Sequence, residues 1–431
     1  MLRCSGGAQS YIKNTLEQRS NRKEHNSSCF VRFVFFVVKN FCRAILRLRI
    51  LLRILLDVPP GLAKLAAMRS QAKILCAIGI FGLMLFGIQS PMSAAAAKFG
   101  GLKPPPHGLC GTKGFKDVPP GWEAMVNCVT VPVNWADLEP TEGDYQPAFK
   151  QIDEILATAQ ARKLEVNLRI FCGHKSPAWL ERKVGTLHFR DPVDQKESAP
   201  ICFWKAEALA AGRRLHLALA QRYDHDARLL SVGISHCMTF WDEPFMRHPE
   251  AKENRDEFAK AGYTPGLDQA AQIQALRFHA EAWQHTYSFI CLNPFEEIDA
   301  ASPKGWKQNL DFTFAFMDQA IEILGPRIIF MNASIRYPLE KLGPAYLRLY
   351  ERMSACGSLI GFQTAWWPRI GDCPKTLQQC VAYGAAFVEV QSGFQDPQKS
   401  HLTKPEFAVL DDQLEALAKK RFQLLRQKYG F

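Results

Sequence analysis

The run Trp241-Asp242-Glu243-Pro244 closes an apolar stretch that begins at Leu229. It sets two adjacent carboxylates and an indole where a buried strand surfaces into a loop, and the proline then removes a backbone donor and stops regular structure. A carboxyl against an aromatic wall loses solvation of its charged form, so its pKa rises and it can donate a proton near neutral pH. Glu243 is therefore the candidate general acid/base, with Asp242 placed to orient it or to bond a hydroxyl of a bound molecule. Three further apolar runs end in similar chemistry: Asn134-Trp135-Ala136-Asp137-Leu138-Glu139-Pro140, Cys172-Gly173-His174-Lys175-Ser176-Pro177-Ala178-Trp179, and Gln363-Thr364-Ala365-Trp366-Trp367. Five of the nine tryptophans thus gather at strand exits. Flat apolar rings flanked by donors and acceptors suit a pyranose, which has a C–H face and a hydroxyl rim. Trp135, His174, Trp179, Trp241, Asp242, Gln363 and Trp366 are candidate sugar contacts, and Asn332 and Arg336 would orient the same substrate from a sixth exit. The bland alternative is that large aromatics simply plug the end of a fold.

Those exits need elements to hold them. Short apolar runs alternate with longer amphipathic ones, as expected of βα units around a parallel sheet. Strands are expected at Val126–Val133, Leu164–Phe171, Leu229–Thr239, Tyr287–Leu292, Arg327–Asn332, Ser358–Thr364 and Ala385–Val390, with a first strand near His107–Gly111. Helical spacing marks the stretch around Phe149–Ala159, then Trp204–Tyr223, Leu267–Trp283, 309–324, 344–355, 375–383 and a last helix from Pro405 to Gln427. Eight strands with helices between them predict a single-domain (β/α)8 TIM barrel over residues 98–431, with active-site groups on the face where the strands end. Residues 181–203 read as a long loop over that face, a candidate lid.

The chain carries a net charge of +11 and 13 cysteines. Residues 1–67 supply +9 of that charge, Arg69 and Lys73 supply the other two, and everything from Lys98 onward is neutral. The basic balance therefore gives the folded part no nucleic-acid signal. Met68–Lys73 is a short basic stretch, Ile74–Ile88 an uncharged apolar run, and Ser93–Ala97 offers small-residue cleavage points, which is the order of a secretory signal peptide over 68–97. The expected location is export, periplasmic or secreted, with contact to the membrane only in transit; the alternative is an uncleaved anchor over 74–88. Within the upstream stretch 1–67, Phe30–Leu56 is apolar but broken by five arginines and Lys39, which disfavour a membrane span, and the whole stretch is read as lying outside the fold. Nine cysteines follow the signal, an odd number, and several sit in apolar runs as small hydrophobes would. Neither a metal-ligand spacing nor a phosphate-cradling loop occurs, so no cofactor is implied.

W-x-x-L-E-P-x-x-G-x-Y at Trp135–Tyr145, followed by S-P-x-W-L at Ser176–Leu180, resembles the second and third strand exits of retaining glycoside hydrolases, in the clan that includes the family 42 beta-galactosidases. That clan ends its fourth strand in Asn-Glu-Pro, so the resemblance implies that Glu243 is the acid/base, with Asp242 in place of the Asn. It also implies a nucleophilic Glu at the seventh exit, where this chain has Gln363 and Thr364. An amide cannot attack as a carboxylate does. The remaining candidate is Glu389, in Phe387-Val388-Glu389-Val390, as nucleophile or base; its other reading is a partner for a neighbouring arginine such as Arg169. Glu296, Glu297 and Asp299 are lesser candidates. The expectation is an exported glycoside hydrolase acting on an oligo- or polysaccharide, and the alternative a non-catalytic polysaccharide-binding barrel that has lost its nucleophile at Gln363.

Overall fold

The computed structural model describes residues 99–431 except 193, 194, 240 and 242. The expected segments 1–67 and 68–97, and Asp242, lie outside the described residues. Eight parallel strands close into a barrel: β1 (Gly108–Gly111), β2 (Val126–Asn134), β3 (Glu165–Phe171), β4 (Leu229–Gly233), β5 (Tyr287–Cys291), β6 (Ile328–Ile335), β7 (Leu359–Thr364) and β8 (Phe387–Val390), with β8 returning to β1. The principal helices are α1 (Gln146–Arg162), α2 (Ala206–Tyr223), α3 (Pro265–Ala282), α4 (Leu310–Leu324), α5 (Pro344–Ala355), α6 (Cys373–Tyr383) and α7 (Lys404–Tyr429). They follow β2 to β8 in turn, while a single turn of 3-10 helix, Phe115–Asp117, joins β1 to β2. The expected TIM barrel is present. None of the helices among the described residues is long and apolar enough to cross a membrane.

Strands covered on both faces read as unbroken apolar runs, and every residue of β4 and of β5 is buried. Helix ends follow local chemistry. α1 stops at Lys163, whose left-handed φ of 55° turns its amide back onto the Ala159 and Gln160 carbonyls. α7 starts with a capping box between Thr403 and Glu406. All nine described cysteines are thiols, and all but Cys356 are buried, as small hydrophobes would be.

Two expected elements differ. β4 ends at Gly233, not Thr239. The Ile234 amide still reaches the Phe289 carbonyl at 2.7 Å, but Ser235 then turns its hydroxyl to the Ile170 carbonyl and His236 leaves the sheet for the helix layer. There its ring packs beside Trp135 and Phe278, in space that a β-carbon at Gly212 would fill. Trp241, Glu243 and Pro244 consequently sit in a loop beyond the strand. The stretch 181–203 is also more than a loop. It includes the end of a short helix, Ala178–Val184, and a small hairpin, Phe189–Arg190 with Glu197–Ser198. Arg190 exchanges hydrogen bonds of 3.0 and 2.9 Å with Asn254 on a helix that sequence periodicity did not reveal, Lys252–Lys260.

His236 belongs to a sealed trio with His216 on α2 and His279 on α3, whose rings lie 4.1 Å apart. Trp283 donates to His216 Nδ1 at 3.2 Å, and His279 Nδ1 meets the Ser288 hydroxyl at 3.2 Å. Burial holds all three neutral, pushing His216 down to about 3, His236 to about 4 and His279 well below its ordinary value. The unfolded chain therefore binds more protons than the fold as pH drops below about 6.5, so stability is lost with falling pH through that window. Asp268, pushed up to about 6 by burial, acts with the opposite sign but is one group against three. Urea midpoints are expected to fall steeply from pH 7 to pH 5, and His279→Gln is expected to flatten that slope; an equal slope in the variant would contradict the assignment.

Candidate active site

Inside the barrel, Arg169 of β3 and Glu389 of β8 form a fully enclosed ion pair. Arg169 Nη2 lies 3.1 and 3.2 Å from the two Glu389 oxygens, with side chains 4% and 0% exposed. The Thr130 hydroxyl of β2 donates to Glu389 Oε1 at 2.6 Å, and Arg169 Nη1 donates to Gln363 Oε1 of β7 at 3.3 Å. Register sets this layer, since Glu389 is level with Cys110 on β1 and Gln363 on β7. The two residues that stand in for the expected nucleophile, Gln363 and Glu389, are thus brought together. The correction is that Glu389 does not open onto a cleft: it is the buried partner of Arg169.

The tryptophan-lined mouth is only partly realised. Trp135 is completely buried beneath the mouth, donating from Nε1 to Glu139 Oε2 at 2.8 Å, and Trp179 donates to the Glu139 carbonyl at 2.9 Å. Glu139, raised by burial, also accepts from the Gly143 amide at 2.9 Å, so the W-x-x-L-E-P-x-x-G motif ties a loop down. Trp241 and Trp366 are 44% and 55% exposed, with Lys196 and Arg369 over their faces. Trp367 donates to the Ser392 carbonyl at 2.7 Å. Half-buried His174 is lowered chiefly by burial and next by Lys175, against a bond to the Thr239 carbonyl. Asn332 is another correction. It points outward from β6, giving its amide to the Leu292 carbonyl at 2.7 Å and accepting from Tyr350 at 2.6 Å, so it braces the wall.

Glu243 keeps different company. The Pro244 carbonyl after it accepts from Gln272 of α3 at 2.8 Å, and Phe245 packs 5.2 Å from both Phe295 and Phe316. These anchors set Glu243 beside Arg247 of the same loop and Tyr346 near the start of α5. Arg247 loses solvation by burial, yet the fields of Tyr346, Glu296 and Glu243 outweigh that cost and raise its pKa. Glu296 is the second residue of a further hairpin, Phe295–Ile298 with Trp306–Asn309, and lies 3.7 Å from Arg247. The Tyr346 hydroxyl donates to Asn293 Oδ1 at 3.2 Å. Sequence reading missed Arg247, Tyr346 and Asn293. Only Asn293-Pro294, directly beyond the β5 run, carried a strand-exit signal comparable to Glu243-Pro244.

A family model described as Beta-galactosidase, Glyco_hydro_42, matches residues 116–327. The chain is a glycoside hydrolase. The match is a partial one to the clan of the family 42 beta-galactosidases, running from the turn before β2 to the edge of β6. It takes in Glu243, Arg247 and Glu296 and stops short of Gln363 and Glu389. Solved structures similar to the chain include the lactosyl-enzyme intermediate of endo-glycoceramidase II from Rhodococcus sp. (13% identity, 73% of this chain and 80% of that one, TM-score 0.43). They also include beta-galactosidases from Halorubrum lacusprofundi (14%, 72% and 58%, 0.44) and the psychrophilic Marinomonas ef1 (15%, 75% and 60%, 0.38). No curated protein matches.

Removing one member of a sealed ion pair leaves the other charge uncompensated, at a cost of about 3–5 kcal/mol, whereas replacing both by apolar groups is often close to neutral. Arg169→Met is expected to lose stability on that scale in urea unfolding, and Arg169→Met with Glu389→Leu to regain most of it. A single variant as stable as the wild type would remove the pair from its structural role.

Proposed function

We propose that this glycosidase works at the mouth beyond β4 to β6, with Glu243 as the general acid/base that protonates the leaving oxygen of a β-galactoside-like substrate. The observation that carries this reading is the placement of Glu243. It is a half-buried carboxyl at the barrel's active face, anchored through Pro244 and Phe245, inside the stretch that matches the family model. Exposed Trp241 and Trp366 are the rings available to stack on sugar, with His174 and Gln363 as nearer polar contacts. Glu389 contributes through Arg169, which fixes Gln363, since its own carboxylate presents no surface to a sugar. Export fits the basic, apolar and small-residue order of residues 68–97.

A general acid matters most where the leaving group is a poor one. With the full-length chain, Glu243→Gln is expected to lower kcat/KM on lactose by about 10²–10⁴. The loss should be clearly smaller on 4-nitrophenyl β-D-galactoside, whose phenolate leaves without a proton. Equal losses on both, or none, would sink the assignment. Sugar binding by calorimetry with no turnover of any nitrophenyl glycoside by the wild type would favour a non-catalytic binding barrel.

A further inference from the structure

Both indoles left exposed at the mouth carry a cation over the ring: Lys196 lies 5.8 Å from the Trp241 ring and Arg369 5.8 Å from that of Trp366. A neutral sugar that stacks on either face must push that cation aside and offers it nothing in return. A sugar with a negative group can stack and keep the cation as its partner. The choice is sharpest at Trp366, which leads into a single helical turn, Trp367–Ile370, held by buried Ile370 and by the Trp367 indole on the Ser392 carbonyl at 2.7 Å. The Arg369 and Ile370 amides return to the Trp366 carbonyl at 2.8 and 3.0 Å, so the turn itself carries Arg369 back over the indole.

A second guanidinium comes from the neighbouring exit. The Ala365 amide donates to the Ile335 carbonyl at 2.9 Å and the Tyr337 amide to the Ile370 carbonyl at 3.1 Å. The two exits therefore run side by side, with Arg336 between those bonds. Arg336 is half-buried, and its Nε is enclosed without a hydrogen-bond partner among the described residues. Asp372, which caps α6 just past the turn, is already matched by Lys375 at 3.1 Å. Among the described residues, no carboxylate comes within ion-pair distance of Arg336 or Arg369. Two cations without a counter-charge, one of them partly desolvated, thus flank an open aromatic face.

We infer that the rim between the β6 and β7 exits is a subsite for an acidic sugar, with Trp366 stacking on its ring and Arg369 and Arg336 holding its carboxylate or sulfate. A guanidinium presents a planar fork of donors that matches such oxyanions two bonds at a time. This rests on the use of Trp366 as a sugar contact in the glycosidase reading above and narrows that reading. The substrate is a β-galactoside-like saccharide that carries negative charge, as a uronate or a sulfate ester does.

The test titrates full-length Glu243→Gln, which should hold sugars without turning them over, by calorimetry with lactose, 3′-sulfolactose, 3′-sialyllactose and lactobionate. At least one charged sugar is expected to bind about tenfold or more tighter than lactose at low salt, by a margin that shrinks as sodium chloride rises. Which of the three gains identifies the anion as sulfate or carboxylate. Adding Arg369→Gln should abolish the margin while tightening lactose slightly, because the indole face is then open; adding Trp366→Ala instead should weaken charged and neutral sugars alike. Equal affinity for charged and neutral sugars, or a margin that survives both Arg369→Gln and Arg336→Gln, overturns the proposal and leaves Glu243 in its role. Failure of every sugar to bind overturns it together with the sugar-binding mouth beneath it. Lactose hydrolysis by Glu243→Gln removes the acid/base assignment alone, and the margin is then read as a ratio of kcat/KM.

Discussion

A guanidinium and a carboxylate enclosed within a barrel cannot be answered by water, so they must answer each other. Arg169 and Glu389 do this from β3 and β8, with Thr130 of β2 and Gln363 of β7 drawn into the same layer. Four of the eight strands are thereby fixed in register by charge as well as by backbone bonds. Desolvating the two ions is expensive, and only near-complete satisfaction of their hydrogen bonds makes the arrangement tolerable. The geometry of the mouth above inherits that register.

Such a floor changes what the eighth strand can do. A carboxylate that balances a neighbouring cation and accepts from a hydroxyl is a poor nucleophile toward a bulky sugar, however well its sequence position suits the role. Polar chemistry shifts to the wall formed by the segments after β4 and β5 and by the start of α5. There Glu243, Arg247, Glu296 and Tyr346 lie together and phenylalanines hold the backbone. Family resemblance is concentrated in the same half of the barrel, over residues 116–327.

The barrel was legible in the sequence because its strands are buried on both faces and its helices are amphipathic. β3, β5 and β7 lie within one residue of their expected limits, and β8, α2 and α3 within two. The fourth strand was over-extended because Ile234 to Thr239 is as apolar as a strand, and nothing local reveals that His236 turns into a helix-layer cavity left by Gly212. Glu243 was legible through its proline and its indole. Arg247 and Tyr346 were not, because neither follows a strand and their significance is tertiary: one aromatic cluster folds two separate loops together. Trp135 and Asn332 have the chemistry of sugar contacts, and only the direction of the side chain assigns them to the wall.

The last helix carries a consequence for how the molecule comes into being. Asp411 of α7 accepts the Leu109 amide of β1 at 2.8 Å, a bond across 302 positions of sequence, and β1 itself pairs with β8. The seam of the barrel is therefore sewn by the two ends of the domain, without a full helix between β1 and β2 to brace it early. Contacts of such separation form late, because the intervening chain must first be ordered. During synthesis the first strand waits with one edge unpaired until β8 emerges, and without its Asp411 bond until α7 does. A chain halted shortly before α7 would hold all eight strands and six of the seven principal helices, yet lack the helix whose Asp411 ties β1 at the seam.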